Sequence, residues 1–586
     1  MITRPILDAA RRPLGFGRID LRPNLYDLVA LAIVVGVGVA VIHGAREMRA
    51  PLMQLDITPV SLDPSLLPEY ALRTTLRMFA AMGASLVFTF MVATLAAKSR
   101  RAELVIIPAL DILQSVPVLG FLTFTVVFFL GLFPGSQMGA ELAAIFAIFT
   151  AQAWNMAFSF YQSLRTVPRD LDEVARHFRL SPWLRFWRLE APFATPGLVW
   201  NAMMSMSGSW FFVVASEAIS VGDTKILLPG IGAWLALAIE HKDLKAIALA
   251  VFAIGVVILL YDQLVFRPIV AWADKFRAEQ TAAQQRPRSW VYDLVRRTHL
   301  IRRLALPVSW LFEIVSEWID RIKMPEQSSR LLKPSPETER TIDILWIALV
   351  LAATGYMLWL IIDYVSATLS FDDLRQAVTA GGLTLSRVII LIALASLIWV
   401  PIGVWIGPRP AVAQRVQPVA QFLAAFPANV LFPFVVVLIV TFKLNPNIWL
   451  SPLMILGTQW YILFNVIAGA SAFPTDLREV STIFRVRHWN WWRRVMLPGI
   501  FPYFVTGALT ASGGSWNASI VAEVASWGDV KLHAAGLGAY IADATDAGDF
   551  PRVVLGVAVM SMFVVALNQL LWRPLYRFAE QRMRLN

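Results

Sequence analysis

Cysteine is absent from all 586 residues, which excludes a disulfide framework, a thiolate metal site and a cysteine nucleophile. Charge is scarce: 16% of residues are Asp, Glu, Lys or Arg, against about 25% in soluble globular chains. Histidine occurs six times, at 43, 177, 241, 299, 488 and 533, never four apart, so an HExxH zinc site is excluded. No GxxxxGKS or GxxxxGKT phosphate loop occurs, nor any Gly-Lys dipeptide; this chain has no P-loop with which to hydrolyse ATP. What remains is apolar, with 57% hydrophobic residues and a mean hydropathy of +0.62, a composition for a bilayer and not for water. The formal charge of +11 then marks cytoplasmic loops, and no nucleic-acid partner is expected.

A helix crossing a bilayer needs roughly 20 mostly apolar residues, because its backbone must satisfy its own hydrogen bonds. Twelve such runs are predicted: 25–43, 72–97, 104–133, 139–161, 193–216 and 246–266, then 342–365, 383–406, 416–441, 448–470, 499–522 and 552–572. Pro117 and Pro427 break the third and ninth. Residues 1–24 carry Arg4, Arg11, Arg12, Arg18 and Arg22 without a long apolar core; they are expected to be an uncleaved basic lead-in on the cytoplasmic side. The fold class is all-α integral membrane.

The chain repeats itself at a separation of 306 residues. Trp154 and Phe158 recur as Trp460 and Phe464; Pro168, Asp170, Leu171, Glu173, Val174, Phe178 and Arg179 recur as Pro474, Asp476, Leu477, Glu479, Val480, Phe484 and Arg485. Ser209-Trp210, Glu217, Gly230 and Gly232 return as Ser515-Trp516, Glu523, Gly536 and Gly538. Apolar composition can align Leu on Leu, but not Glu, Asp, Trp and Pro over a hundred residues, so the chain is a duplication. With the N-terminus inside, Arg-rich loops 98–103, 162–190, 407–415 and 471–497 and the C-terminal tail are cytoplasmic, whereas loops 217–245 and 523–551 are neutral or acidic and outside. Six spans per copy put both 162–190 and its repeat on one side, a parallel repeat. The expected organisation is a basic N-terminus (1–24), a first half (25–271), a cytoplasmic linker (272–340) and a second half (341–586). Within the linker, Trp290, Leu294, Trp310 and Trp318 interleave with Arg296, Arg297, Arg302 and Arg303, which suits helices lying on membrane lipids, or docking to a cytosolic partner.

Each long inner loop contains an amphipathic helix, with Leu171, Val174 and Phe178, or Leu477, Val480 and Phe484, at helical spacing. Asp170 with Glu173, and Asp476 with Glu479, have the spacing of a capping box; the same helices, with an apolar ridge on a polar back, also suit two equivalent docking surfaces. Glu173-Val174-Ala175 followed by Leu189-Glu190-Ala191-Pro192, and Glu479-Val480-Ser481 followed by Val495-Met496-Leu497-Pro498, resemble the EAA loop of binding-protein-dependent ABC importer permeases. Ser209-Trp210 leading to Val214-Ala215-Ser216-Glu217 and Gly230-Ile231-Gly232, with its copy, is similar to the nitrate, sulfonate, taurine and bicarbonate branch. The resemblance implies a type I importer transmembrane domain made of two fused six-helix halves in a parallel pseudo-twofold repeat. It further implies two copies of a cytosolic ATPase on the loops at Asp170, Glu173, Val174, Phe178, Arg179, Asp476, Glu479, Val480, Phe484 and Arg485, an extracytoplasmic solute-binding protein, and a small anion as substrate. No cofactor is expected on this chain, since ATP and Mg would sit on the partners, and the location implied is the bacterial inner membrane with both termini cytoplasmic. One departure stands out: Arg179 and Arg485 occupy the loop's glycine position, which requires either a continued helix or a strained turn.

Charges within spans are costly and therefore candidates for function. Arg77 with Thr74 and Thr75, and Arg387 with Thr384 and Ser386, offer guanidinium and hydroxyl donors to an oxyanion, or snorkel to headgroups. Glu217 and Glu523 can pair with those arginines, repel anions as a gate, or face water. Ser209, Trp210, Ser515 and Trp516 line the seam between halves or pack in it. An ion-coupled carrier would also have twelve spans in two halves, but with ionisable relays deep in the membrane; here Asp111 and Asp262 lie nearer the cytoplasmic side, and Asp262 becomes Asn568 in the copy. An ATPase-linked scaffold that moves no solute is the third reading.

Overall fold

The computed structural model describes residues 60–115, 118–134, 136–178, 180–221, 224–276, 289–298, 336–471, 473, 475–486 and 488–582, with single positions at 36, 39 and 314. The expected basic N-terminus and first span, Pro117, Arg179 and most of the linker lie outside them, as do the side chains of Asp111 and Asp476.

In chain order, the first copy forms α1 (Leu67–Lys98), α2 (Arg100–Ser115), α3 (Val118–Leu132), α4 (Gln137–Arg165), α5 (Arg169–His177), α6 (Ala191–Ser216), β1 (Ala218–Val221), β2 (Thr224–Leu227), α7 (Ile231–Glu240) and α8 (Leu244–Tyr261). After α9 (Arg267–Ala273), α10 (Trp290–Arg297) and α11 (Pro336–Ser366), the second copy forms α12 (Phe371–Ile406), α13 (Pro410–Ala425), α14 (Phe432–Thr441), α15 (Gln459–Ser471) and α16 (Thr475–Ile483). It closes with α17 (Leu497–Ala522), β3 (Val524–Trp527), β4 (Val530–His533), α18 (Leu537–Asp546), α19 (Phe550–Leu567) and α20 (Arg573–Arg582). Among the described residues, eight helices are long and apolar enough to cross a membrane, or ten when two bent pairs are each one span. The sequence predicts twelve; of the other two, 25–43 is described only at positions 36 and 39, and 104–133 appears as α2 and α3 on either side of residues 116–117.

Packing divides the chain into two compact units. One comprises Met1–His43, Val167–Val199 and Tyr261–Lys333, the other Gly44–Thr166, Trp200–Leu260 and Pro334–Asn586. In the second unit α1 packs along α4, and α12, α15 and α17 pack on one another. Glycines allow the close approach: a Cβ on Gly403 would strike Val466, and one on Gly507 would strike the Tyr461 carbonyl. Within the first unit, Arg185 reaches both Asp172 on α5 (3.2 Å) and Glu190 (3.1 Å), tying the short helix to the segment that leads into α6. The repeat mates of this triad are Arg478, Trp491 and Met496, so that ionic brace is not duplicated.

Two features depart from the sequence expectation. The stretches 217–245 and 523–551, expected as plain loops, each fold as an antiparallel two-stranded hairpin followed by a short, largely buried helix. Spans five and eleven also begin earlier than expected, at Pro182 and His488, through a π-helical turn at Phe186–Glu190 or Trp492–Met496. Two more π turns, Asp262–Phe266 and Asn568–Trp572, also recur in both copies. Each of the four ends two residues before a proline: 192, 268, 498 or 574. Proline lacks the N–H and crowds the carbonyl four residues back, and a wider turn relieves both problems without ending the helix.

The helix α16 ends in a left-handed turn. Arg485 has φ +49°, and the Val486 N–H donates to the Ser481 carbonyl (2.9 Å), a Schellman closure. Leu180 and Ala175 make the equivalent bond after α5 (3.1 Å). The strained-turn alternative for Arg485 is therefore the one adopted. A left-handed residue other than glycine costs about 1–2 kcal/mol, partly offset by glycine's greater unfolded-state entropy. Arg485→Gly is expected to stabilise the protein by about 0.5–1 kcal/mol, read as a higher melting temperature in detergent, while Arg485→Val lowers it; equal melting temperatures would contradict the strained turn.

Candidate functional site

The residues that the sequence singles out at the ends of spans converge on one arrangement, built twice. Glu217 follows the last turn of α6 and is fully buried. Its Oε1 accepts from Thr74 Oγ1 (2.7 Å) and Arg77 Nη1 (2.6 Å), and its Oε2 accepts from the Gly232 N–H (2.6 Å). Thr74 Oγ1 in turn accepts from the Ile231 N–H (3.0 Å). The carboxylate thus caps the amide end of α7, where a helix concentrates positive potential. Gly230 and Gly232 make this possible, since a Cβ on either would collide with the Glu217 carboxylate. Their role is close approach, because Gly230 is extended.

The second copy repeats the geometry. Glu523 accepts from Thr384 Oγ1 (2.8 Å), Arg387 Nη1 (2.8 Å) and the N–H groups of Gly538 (2.7 Å) and Ala539 (3.2 Å), and Thr384 accepts from the Leu537 N–H (2.9 Å). The two arginine environments differ in the partners beyond the shared glutamate. Arg77 donates through Nε and Nη2 to both oxygens of Glu141 (2.6 and 2.7 Å) and through Nη2 to the Pro229 carbonyl (3.0 Å). Glu141 has Asn447 as its repeat mate, and Asn447 takes Arg387 Nη2 at 3.4 Å and the Ala535 N–H at 2.7 Å. Sequence reasoning passed over Glu141 and Asn447; a carboxylate inside the apolar run 139–161 was the available signal for the former.

These contacts correct two expectations. Arg77 is fully buried, so it does not snorkel, and it spends its donors on two carboxylates and a carbonyl, which leaves little for an oxyanion. Arg387 keeps 12% exposure and is also bound to Glu523. Thr75 and Ser386 are outside the cluster, each turned back onto its own helix at Ala71 O (2.7 Å) and Leu383 O (2.7 Å). Ser209 and Ser515 likewise bond to Ser205 O and Ala511 O, with Ser515 also meeting Thr458 (3.0 Å). Trp210 and Trp516 are packed in the interior, Trp516 stacked on Phe563 at 6.1 Å.

At the hairpin end, the β3–β4 turn lies against the first copy: the Gly528 N–H donates to Ile239 O (3.1 Å), and Lys242 Nζ lies 2.8 Å from Asp529. The Lys242 hydrogen bond holds the Asp529 carboxyl below its ordinary pKa. The short helices α5 and α16 show their apolar ridges to solvent, with Phe178 67% and Phe484 75% exposed and Val174 and Val480 about half exposed. Glu173 and Glu479 are exposed too. The capping box expected at Asp170 and Glu173 is not formed. Pro168 is the N-cap, with no side-chain cap bond, because the helix starts at Arg169, two residues too early for Asp170 to cap it. Among the described residues, no cluster of His, Asp and Glu suits a metal ion.

Two like sets of membrane-length helices, each with a buried carboxylate at one end and each accompanied in sequence by a short amphipathic helix, define a polytopic membrane protein. The sequence pattern of the binding-protein-dependent transport system inner membrane component family matches residues 64–267 and again 399–585, and the chain belongs to that family. It is a multi-pass inner-membrane protein in which the permease domain occurs twice. Similar proteins include the nitrate import permease protein NrtB of Leptolyngbya laminosa, 26% identical over 187 residues that cover 32% of this chain and 63% of the relative. The bicarbonate transport system permease protein CmpB of Synechocystis sp. is 28% identical over 175 residues, 30% of this chain and 59% of the relative. The glycine betaine/carnitine transport permease protein GbuB of Listeria monocytogenes is 27% identical over 170 residues, 29% and 54% respectively. The chain thus spans about three fifths of the length of the curated relatives it matches.

Removing one member of a buried ion pair costs about 3–5 kcal/mol, because the other charge is left uncompensated. Arg77→Ala strands two buried carboxylates, whereas Arg387→Ala strands one beside a neutral amide. Arg77→Ala is therefore expected to lower the yield of folded protein in detergent much further than Arg387→Ala; equal losses, or a larger loss from Arg387→Ala, would count against the asymmetry.

Proposed function

We propose that this chain is the complete transmembrane pathway of an ATP-driven importer for a small oxyanion. Two copies of a cytosolic ATPase would hold α5 and α16 around Glu173 and Glu479, and an extracytoplasmic binding protein would deliver solute to the hairpin end. The observation that carries this reading is the pair of exposed apolar ridges, Val174 with Phe178 and Val480 with Phe484, on short helices at matching sequence positions of two family-matched halves. A large apolar side chain two thirds or more exposed at two equivalent sites is what a docking surface requires. The anion is supported by the nitrate and bicarbonate permeases among the relatives, and the orientation by the basic residues of the 162–190 and 471–497 loops. ATP and Mg would belong to the partners. ATPase closure would draw the short helices together and swing the halves between inward-open and outward-open states.

In this reading Arg77, Arg387, Glu217 and Glu523 hold the hairpin end together and do not bind solute. Phe178→Asp and Phe484→Asp together are expected to abolish co-purification with the ATPase and ATP-dependent uptake while leaving the chain folded. Undiminished uptake by the double variant would overturn the docking assignment.

A further inference from the structure

In the second half a helical run from Ala428 through Leu431 continues into α14, at 75° to α13; in the first half the matching helix, α3, begins at Val118. Val118 and Ala428 are repeat mates, 310 apart, as are Phe211 and Asn517, 306 apart. At both helix starts the fifth span of the opposite half makes the contact, but with different chemistry. The Val118 N–H donates to Asn517 Oδ1 (2.7 Å), so a neutral side-chain oxygen occupies the amide end of α3 much as an anion would. At the Ala428 start the corresponding residue is Phe211, whose side chain can accept nothing. Here Asn429 reaches across instead, donating from Nδ2 to the Phe211 carbonyl at 3.4 Å.

Asn429 is 8% exposed, and its Oδ1 has no partner among the described residues. An orphaned buried acceptor beside a helical amide end is an incomplete hydrogen-bonding set. The end's N–H groups favour negative charge, while the amide oxygen needs a donor. One class of ligand satisfies both: an oxyanion that also carries its own O–H or N–H. Hydrogencarbonate and aminosulfonates such as taurine have such a group, and nitrate has none.

We infer that the Ala428–Asn429 amide end is a resting point for the transported solute midway along the broken span, and that Asn429 Oδ1 selects oxyanions bearing a proton donor. This inference rests on the oxyanion-permease reading above. Discontinuous helices are suited to the role because their ends present unsatisfied backbone groups inside the membrane.

The test uses the full chain assembled with its ATPase subunits and binding protein in proteoliposomes, measuring ATP-dependent uptake of hydrogencarbonate, taurine and nitrate for wild type, Asn429→Ala and Asn429→Ser. The binding protein's own selectivity cancels in the ratio of variant to wild type. Losing one such hydrogen bond is worth about a factor of ten, so Asn429→Ala should reduce the preference for the proton-bearing anions over nitrate about tenfold, through loss of their uptake. Asn429→Ser, which keeps an acceptor, should hold the preference closer to wild type. An unchanged preference in Asn429→Ala, with oxyanions still transported, overturns this inference and leaves the permease reading standing. A wild-type assembly that couples ATP to a neutral solute and to no oxyanion overturns both.

Discussion

A carboxylate buried at the end of a membrane-length helix is unstable unless its surroundings answer it fully. Glu217 and Glu523 are answered by a guanidinium, a threonine hydroxyl and the amide end of a short helix. Much of the architecture at that end follows from this need. The threonine and arginine come from α1 or α12, the amides from α7 or α18, and the glutamate from α6 or α17, so one charge joins three elements that are distant in sequence. The hairpin is fixed by the same residue: the Glu217 carbonyl accepts from Leu228 N–H (2.9 Å), and the Glu523 carbonyl from Ala534 N–H (2.8 Å).

The duplication is kept in geometry and relaxed in chemistry. Glu141 becomes Asn447, the Arg185 brace becomes Trp491 and Met496, and Phe211 becomes Asn517. Each exchange alters charge or hydrogen bonding at a site whose backbone is repeated. A homodimer of identical halves could not assign different tasks to its two seams, whereas a fused chain can. The contrast between an occupied amide end at Val118 and an orphaned amide oxygen at Asn429 is the sharpest instance.

What was legible in the sequence follows from physical strength. Membrane-length helices announce themselves because twenty apolar residues in a row have few alternatives, and the repeat was visible in its Trp, Pro and charged matches. The convergence of Arg77 with Glu217 was among the open alternatives, and the buried geometry decides it. The hairpins were illegible: four-residue strands such as Ala218–Val221 carry too short a period to stand out from an apolar loop. Asn429 and Asn517 gave no signal, since a neutral amide in a span attracts no suspicion until its partners are known. The π turns had a sequence cause in the prolines at 192, 268, 498 and 574, but proline alone does not distinguish a widened turn from a broken helix.

Glu523 and Arg387, like Glu217 and Arg77, are coupled to each other and are not independently placed polar residues. A double-mutant cycle on Arg387→Met and Glu523→Gln, read by chemical or thermal unfolding in detergent, measures that coupling directly. A coupling energy of about 1–3 kcal/mol is expected, the double variant being less damaged than the sum of the singles. Strict additivity would contradict it.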